Sequence, residues 1–348
     1  MRVFRETVSE ALSNPVELQG AEYRFAARAG IALSPQDGSE ADTLLKHAQA
    51  ALNRAKATGD AYCFYEPEVH ARIAGRLKLE SELRRAVEHD ELVLCYQPKF
   101  NTETLALTGL EALMRWVHPE RGVVLPGEFM AVAEDTGLIR EIGRRMRHRI
   151  TLDACKWAAA GMIPTRIAVN LSAVELREPG LDEALGDAGR IIRQAGEGDG
   201  GLDIEVTESM LMDDFGSSVA LLSTLRSRGV RVYIDDFGTG FSSLQYLAKL
   251  PIDALKIDRG FVKSMNESAE DHAIVSTVVS LARSLRIGVV AEGVETGEQY
   301  RALKALRCDE VQGFRFGRPI PASEVPAACI PWRGNAGVRE HDARTTRR

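Results

Sequence analysis

The chain has 348 residues, 45% of them hydrophobic and 27% charged, which is ample for a full hydrophobic core and unlike a disordered polymer. Its net charge of -6 argues against a broad electrostatic footprint on a nucleic-acid polymer, although a small anionic ligand can still meet a local field of opposite sign. The five cysteines (Cys63, Cys95, Cys155, Cys308, Cys329) are widely spaced without a CxxC pair, Met1–Asn14 has no apolar h-region and nowhere do eighteen apolar residues run together, so a disulfide framework, a zinc site, an export signal and a membrane span are all unsupported and a reducing cytoplasm is the expected compartment.

The first stretch reads as a small α/β piece. Tyr23–Leu33 has strand character, and Asp42–Thr58 reads as a helix with Leu44, Leu45, Ala48, Ala51, Leu52 and Ala55 on one face, started by a Ser39/Asp42 capping pattern and stopped at Gly59. A short strand, Ala61–Tyr65, follows. Residues 1–66 are too few to bury a proper core, and their strands would leave an unpaired sheet edge that invites self-association. Pro67–Asp90 reads as one amphipathic connecting helix, with Ile73, Leu77, Leu79, Leu83 and Val87 set among Arg and Glu.

From Leu92 onward short apolar runs alternate with amphipathic stretches, the pattern of successive βα units and a parallel sheet. Eight runs stand out: Leu92–Phe100, Leu107–Val117, Arg166–Leu171, Leu202–Val206, Val230–Asp235, Ala254–Ile257, Gly288–Ala291 and Glu310–Phe314, with helices such as Asp271–Leu285 and Glu298–Leu306 between the later ones. Eight parallel strands in this length have the size of one (β/α)8 barrel. A doubly wound open sheet shares the same local alternation, and periodicity does not separate the two. Gly196, Gly198 and Gly201 spell GxGxxG but follow a helix and precede a strand, the reverse of a dinucleotide site. Trp332–Arg348 lacks apolar periodicity and reads as a frayed tail.

Acids recur where these strands end. Glu111 lies within the second run, Asn170 ends the third, Glu205 and Glu208 the fourth, Asp235 and Asp236 the fifth; Asp258 follows Lys256 at the sixth, and Glu292 and Glu295 follow the seventh. Any one of them is readily a helix cap. In a barrel, however, strand C-termini converge on one mouth. Two carboxylates 4 Å apart repel by about 4 kcal/mol even at an effective dielectric of 20, so the cluster calls for cations. Oxygen ligands with one Asn carbonyl and no His or Cys select Mg2+ or Mn2+ over zinc. Two such ions carry four positive charges against the five negative ones of Glu111, Glu205, Asp235, Asp236 and Glu292, and Lys256 supplies the fifth, a balance suited to an anionic phosphodiester.

At these residues the chain resembles the EAL family of cyclic-di-GMP phosphodiesterases. Glu111-Ala112-Leu113 in "GLEALMRWVHP", "YQP" at Tyr96–Pro98, "VNLS" at Val169–Ser172, "EVTES" at Glu205–Ser209, "DDFGTGFSSL" at Asp235–Leu244, "LKIDRGFV" at Leu255–Val262, "AEGVE" at Ala291–Glu295 and "QGFRFGRP" at Gln312–Pro319 follow the family's motifs in order. Phe241, where Tyr is usual, and Gly317-Arg318 before Pro319 depart from the pattern without removing a ligand. The resemblance implies an EAL-type TIM-like barrel over residues 75–331 that hydrolyses cyclic-di-GMP to linear pGpG with two Mg2+ or Mn2+ ions; Ca2+, with its longer bonds and looser coordination, is expected to inhibit such a site. It places Glu111, Asn170, Glu205 and Asp235 on one ion and Asp235, Asp236 and Glu292 on the other. Lys256, Glu292 and Gln312 would carry catalysis, with Lys256 orienting the attacking water. Gln97, Leu113, Arg115 and Pro319 would contact substrate, Glu208 would brace the loop Asp236–Ser243, and Asp258 and Glu295 would support ligands from behind. That loop is often tied in the family to dimerisation, so a homodimer through the barrel is expected. No covalent intermediate is needed, and Ser172, Ser242 and Ser243 read as caps or loop hydroxyls.

"ARAGIALSPQDGSEADTLLKHAQAALNRAKATGDAYCFY" at Ala27–Tyr65 is similar to the C-terminal half of a GGDEF domain, the diguanylate cyclase fold. The half bearing that signature is missing, and Gly200-Gly201 is not followed by an acidic pair and Phe, so no cyclase site is expected. The organisation expected is thus a partial GGDEF-like piece at 1–66, a connecting helix at 67–90 that overlaps the start of the barrel, and a tail at 332–348. Two other functions share part of the pattern: a cyclic-di-GMP sensor, whose mark would be a lost acid or lysine, and an enolising Mg2+ barrel, which would lack the "DDFGTG" element.

Overall fold

A computed structural model describes residues 16–18, 21–23, 28–162, 166–195, 199–239 and 244–328 of the chain. They fall into two compact units, Met1–Glu82 and Leu83–Arg348. In the first, β1 (Val16–Leu18) and β2 (Ala21–Tyr23) pair antiparallel, and β3 (Ala29–Ile31) and β4 (Tyr62–Phe64) pair parallel. The helix α1 (Ala41–Thr58) lies over β3 and β4, and Ala51, Ala55 and Cys63 form a small core. A side chain at Gly30 would collide with the backbone of Ala48 and Leu52, which is why the strand can lie this close to the helix. The continuous strand expected over Tyr23–Leu33 is instead β2 and β3, with residues 24–27 outside the described ones. Gly59, at φ 81°, ends α1 in the left-handed region as expected. The Ser39/Asp42 cap does not form: the N-cap residue is Glu40, and it makes no side-chain cap bond.

The helix α2 (Pro67–Glu88) crosses the division between the units. The second unit holds β5 (Leu92–Asn101), β6 (Leu107–His118), β7 (Gly122–Val124), β8 (Arg166–Asn170), β9 (Gly201–Thr207), β10 (Arg231–Phe237), β11 (Ala254–Ile257), β12 (Gly288–Ala291), β13 (Glu310–Gln312) and β14 (Ile320–Pro321). The order β5-β13-β12-β11-β10-β9-β8-β6 closes on itself through β5 and β6, making an eight-stranded barrel, with β7 and β14 as short additions on β6 and β5. The TIM-like architecture expected from the sequence is therefore present and the open sheet is excluded.

One strand direction differs from the all-parallel expectation. β5 runs antiparallel to both neighbours, β6 and β13, while the other seven are parallel. The reason is local: only residues 102–106 join β5 to β6, too few for a crossover, and the Asn101 side chain closes the turn by accepting from the backbone N–H groups of Glu103 (3.1 Å) and Thr104 (2.9 Å).

The remaining connections are helical: α3 (Pro126–Asp135), α4 (Leu138–Ala159), α5 (Ala173–Leu176), α6 (Leu181–Gln194), α7 (Glu208–Met212), α8 (Phe215–Ser227), α9 (Leu244–Leu247), α10 (Arg259–Ser264), α11 (Ala269–Leu285) and α12 (Gly297–Leu306). α11 and α12 begin a residue or two before the expected starts because Ser268 caps one by accepting from Asp271 N, and Thr296 and Gln299 form a capping box on the other. The core fills the space between barrel and helices with side chains such as Ile167, Leu202, Ile204, Val232, Leu255 and Val289, all at most 1% exposed. Among the described residues no helix is long and apolar enough to cross a membrane.

Candidate active site

The barrel register decides which side chains meet. Glu111 on β6 lies opposite Gln97 on β5, and the two-residue period sets Glu111, Leu113 and Arg115 on one face of β6. Asn170 ends β8 in register with Glu205 on β9, which in turn pairs with Tyr233 on β10. Lys256 sits in β11, one residue before its end; Glu292 follows β12 directly and Gln312 ends β13. On β10 the register with β11 breaks between Ile234 and Phe237, and Asp236 adopts φ 51°. Alternation would send two consecutive residues to opposite faces. The bulge instead brings a ligand oxygen of Asp235 and one of Asp236 within 4.8 Å of each other and of Glu292.

Lys256 is the hub of the mouth. Its Nζ lies 2.5 Å from Glu292 Oε1, 2.6 Å from Glu205 Oε2, 3.1 Å from Asp235 Oδ1 and 3.9 Å from Glu111 Oε1. Glu111 accepts from Asn170 Nδ2 (2.8 Å) and Gln312 Nε2 (2.5 Å); Gln312 Nε2 also reaches Gln97 Oε1 (3.1 Å), and Gln97 Nε2 donates to Gly317 O (2.9 Å). Lys256 and Glu205 are each 1% exposed.

Burial penalises every charge here, so proton affinities report what opposes it. Burial drives Glu205 well above the usual carboxylate range and Glu111 adds to this, while Lys256 and Lys99 oppose. Burial, with Asp235 and Glu111, lifts Glu292 to about 7 despite Lys256. Burial, Asp235 and Asp258 raise Asp236. Burial alone would raise Glu111 too, but Lys256 and the hydrogen bonds from Gln312 and Asn170 outweigh it and hold this carboxyl low. Burial would lower Lys256, yet Glu111, Glu205, Glu292 and Asp235 together keep its ammonium charged. A mouth in which burial opposes the charge on Glu205, Glu292 and Asp236 is one that divalent cations would complete. The donor set fits: it is all oxygen, Asp235, Asp236 and Glu292 already converge, and the buried Gln312 Oε1 accepts no hydrogen bond.

Other residues singled out in the sequence are placed as follows. Arg115 donates to Met114 O (2.7 Å) and lines an open cleft of about 700 Å3 with Val93, Cys95 and Arg149. Leu113 and Asn170 line an adjoining apolar cleft of about 310 Å3 with Met114, Met130, Met146 and Leu171. Asp258 caps α10 by accepting from Gly260 N (2.8 Å) and also reaches Asp236. Glu208 opens α7, and Pro319 follows the Gly317 carbonyl that holds Gln97. For Glu295 the backbone N–H donates to Gln299 Oε1 (2.8 Å). Ser172 accepts from Glu175 N in a capping box, a structural role as expected. Gly240, Phe241, Ser242 and Ser243 lie outside the described residues, as do Cys329 and the 332–348 tail.

Sequence reasoning missed Lys99. Buried to 2% exposure, it sits 3.6 Å from Glu205 Oε1 and 4.5 Å above the Tyr233 ring. The signal was available: a lysine two residues beyond Gln97 in an otherwise apolar strand shares the inward face of Gln97.

Residues 80–319 match the family model described as "EAL domain", and the chain belongs to that family. It is 42% identical over 324 residues to "Bifunctional diguanylate cyclase/cyclic di-GMP phosphodiesterase MucR" of Pseudomonas aeruginosa, covering 93% of this chain and 47% of that protein. It is 37% identical over 335 residues to "Cyclic di-GMP phosphodiesterase NbdA" of the same organism, covering 96% and 42%. The chain thus spans less than half the length of these two curated relatives. Among solved structures it is similar to "PaMucR Phosphodiesterase, c-di-GMP complex", with a TM-score of 0.67 and 44% identity over 71% of this chain and 99% of that one.

Proposed function

We propose that this chain hydrolyses cyclic-di-GMP to linear pGpG in a divalent-metal-dependent reaction. The observation that carries the proposal is the mouth itself: Glu111, Glu205, Asp235 and Glu292 gathered on one buried lysine, with Asp236 beside them. Relatives named as cyclic di-GMP phosphodiesterases, and a similar phosphodiesterase solved with c-di-GMP, support the substrate class. Glu111, Asn170, Glu205 and Asp235 would hold one Mg2+ or Mn2+ and Asp235, Asp236 and Glu292 a second. When bound, these ions supply an activated water and charge neutralisation for an in-line displacement.

The protein's own groups do the rest. Lys256 Nζ, fixed between Glu205 and Glu292, orients a water beside the ligands. Gln312 donates to both Gln97 and Glu111, fixing the floor on which a phosphate oxygen rests. Arg115 offers paired donors to the second phosphate, and the apolar cleft by Leu113 takes the flat face of a base. Asp258 braces Asp236, Glu208 braces the loop after it, and Pro319 shapes the rim. Residues 1–66 are, on this reading, the C-terminal part of a GGDEF-like domain without a catalytic role, α2 is the connector, and any self-association of the barrel is separate from the chemistry. The test is direct: purified protein, cyclic-di-GMP, Mg2+ or Mn2+, and chromatography of the product. Metal-dependent appearance of pGpG is expected. Tight binding of cyclic-di-GMP with no product would instead make the chain a sensor.

A further inference from the structure

Beneath the mouth the barrel holds a second buried ammonium that the proposed chemistry does not use. Lys99 points inward from β5, is 2% exposed, and its Nζ makes no hydrogen bond. Its charged neighbours are unequal. Asp203 is taken by Arg166, whose Nε lies 2.8 Å from Oδ1, and Glu310 acts on Lys99 less strongly than Glu205 does. Glu205 is the acid Lys99 pairs with, at 3.6 Å from Oε1, and that oxygen too makes no hydrogen bond. The other oxygen of the same carboxylate, Oε2, lies 2.6 Å from Lys256. Glu205 is therefore held between two ammonium groups, one at the mouth and one on the other side, and the face of Tyr233 under Lys99 Nζ stabilises the ammonium where it stands.

We infer that Lys99 is a positioning residue: it holds the inner oxygen of Glu205, so that this carboxylate offers only its outer oxygen to a cation in the mouth. The inference rests on the reading of Glu205 as a metal ligand. A carboxylate free to present both oxygens would chelate, grip the ion more tightly and alter the coordination left for water and substrate.

The test is a double-mutant cycle on the whole protein, read by Mn2+ binding in electron paramagnetic resonance titrations with no substrate present. Lys99→Met is nearly the same length and removes the charge. Mn2+ should bind it at least about ten-fold tighter than the parent, the scale of one charge contact of this kind. In a Glu205→Gln background the same Lys99→Met change should have less than a two-fold effect, because the acid through which Lys99 acts is gone. Equal or weaker binding in Lys99→Met would overturn the inference, and so would a gain that persists with Glu205→Gln, since that is plain charge repulsion. A cooperative melt controls for folding; where Lys99→Met fails it, Lys99→Gln, which keeps a polar end, is read against the same criteria. Hydrolysis by the parent is scored separately, so a parent that binds Mn2+ without turnover refutes the proposed function and leaves this inference standing.

Discussion

Stripping divalent cations from this protein should make its stability fall as pH rises, the reverse of what salt-bridged acids produce. Burial pushes Glu292 up to about 7 in the native protein, against an ordinary value of 4.5. Below 4.5 the native and unfolded chains both carry this proton, and above 7 neither does. Between the two, only the native state holds it, so the unfolded state is increasingly favoured as pH rises through the window and the loss is complete above pH 7. A gap from 4.5 to about 7 at 1.36 kcal/mol per pH unit is about 3 kcal/mol. Glu205, raised chiefly by burial, acts in the same direction. Urea unfolding in EDTA from about pH 5 to pH 8 measures the slope, and Glu292→Gln should flatten it. Excess Mn2+ should abolish or invert it, because ligand carboxylates bind a cation only when deprotonated. Stability in EDTA that is flat or rises between pH 5 and pH 7, or an unchanged slope in Glu292→Gln, refutes the reasoning.

Lys256→Met should reduce turnover by orders of magnitude and lower the stability of the EDTA-treated protein by about 3–5 kcal/mol, since it leaves four carboxylates without their shared cation; denaturant melts and product assays read both. Gly313→Ala should cost about 1–3 kcal/mol and depress activity, because a Cβ there meets the backbone N and O of Val294, whose N–H donates to the Gln312 carbonyl at 3.0 Å; an unchanged melt would show that the loop yields freely. Ca2+ added to the Mg2+-loaded protein should inhibit the proposed hydrolysis, given calcium's longer bonds and higher coordination; equal turnover in Ca2+ alone would contradict the proposed pair of ions. A shortened protein starting near Arg72 should melt cooperatively and keep metal-dependent hydrolysis, because every proposed ligand lies at or beyond Gln97; a folded but inactive product would make the upstream unit an activator.

Glu205, Asp235 and Glu292 were legible because each stands at or near the end of an apolar run, where strand geometry fixes its direction, whereas Glu111 lies within its run. Glu111, Glu205, Asp235 and Glu292 lie around Lys256, and Gln312, whose place followed only from the family resemblance, donates to Glu111. What was not legible depends on partners distant in sequence. The direction of β5 was written in the shortness of residues 102–106, but alternation of runs carries no sign for direction. Asp236 reaches the mouth only through a bulge and a left-handed backbone, which no apolar pattern encodes. Lys99 went unread because a lysine inside a strand is usually an edge or surface residue; its burial exists only once Glu205 and Tyr233 stand opposite. The failed Ser39 cap is similar, since two adjacent residues compete for one helix start and local chemistry does not choose between them.

The reversed strand also changes where the chain enters the barrel. In a barrel of uniform βα units the first strand starts at the floor, far from the chemistry. Here Leu92 pairs with Trp116 near the end of β6, so β5 begins at the rim of the mouth and descends toward Asn101, which pairs with Glu310 at the start of β13. The segment immediately upstream of Leu92 is thus attached to the rim of the mouth by the same strand that carries Gln97 and, deeper, Lys99. The entry of the chain and the floor of the mouth therefore share one strand, hydrogen-bonded to β6 along its length.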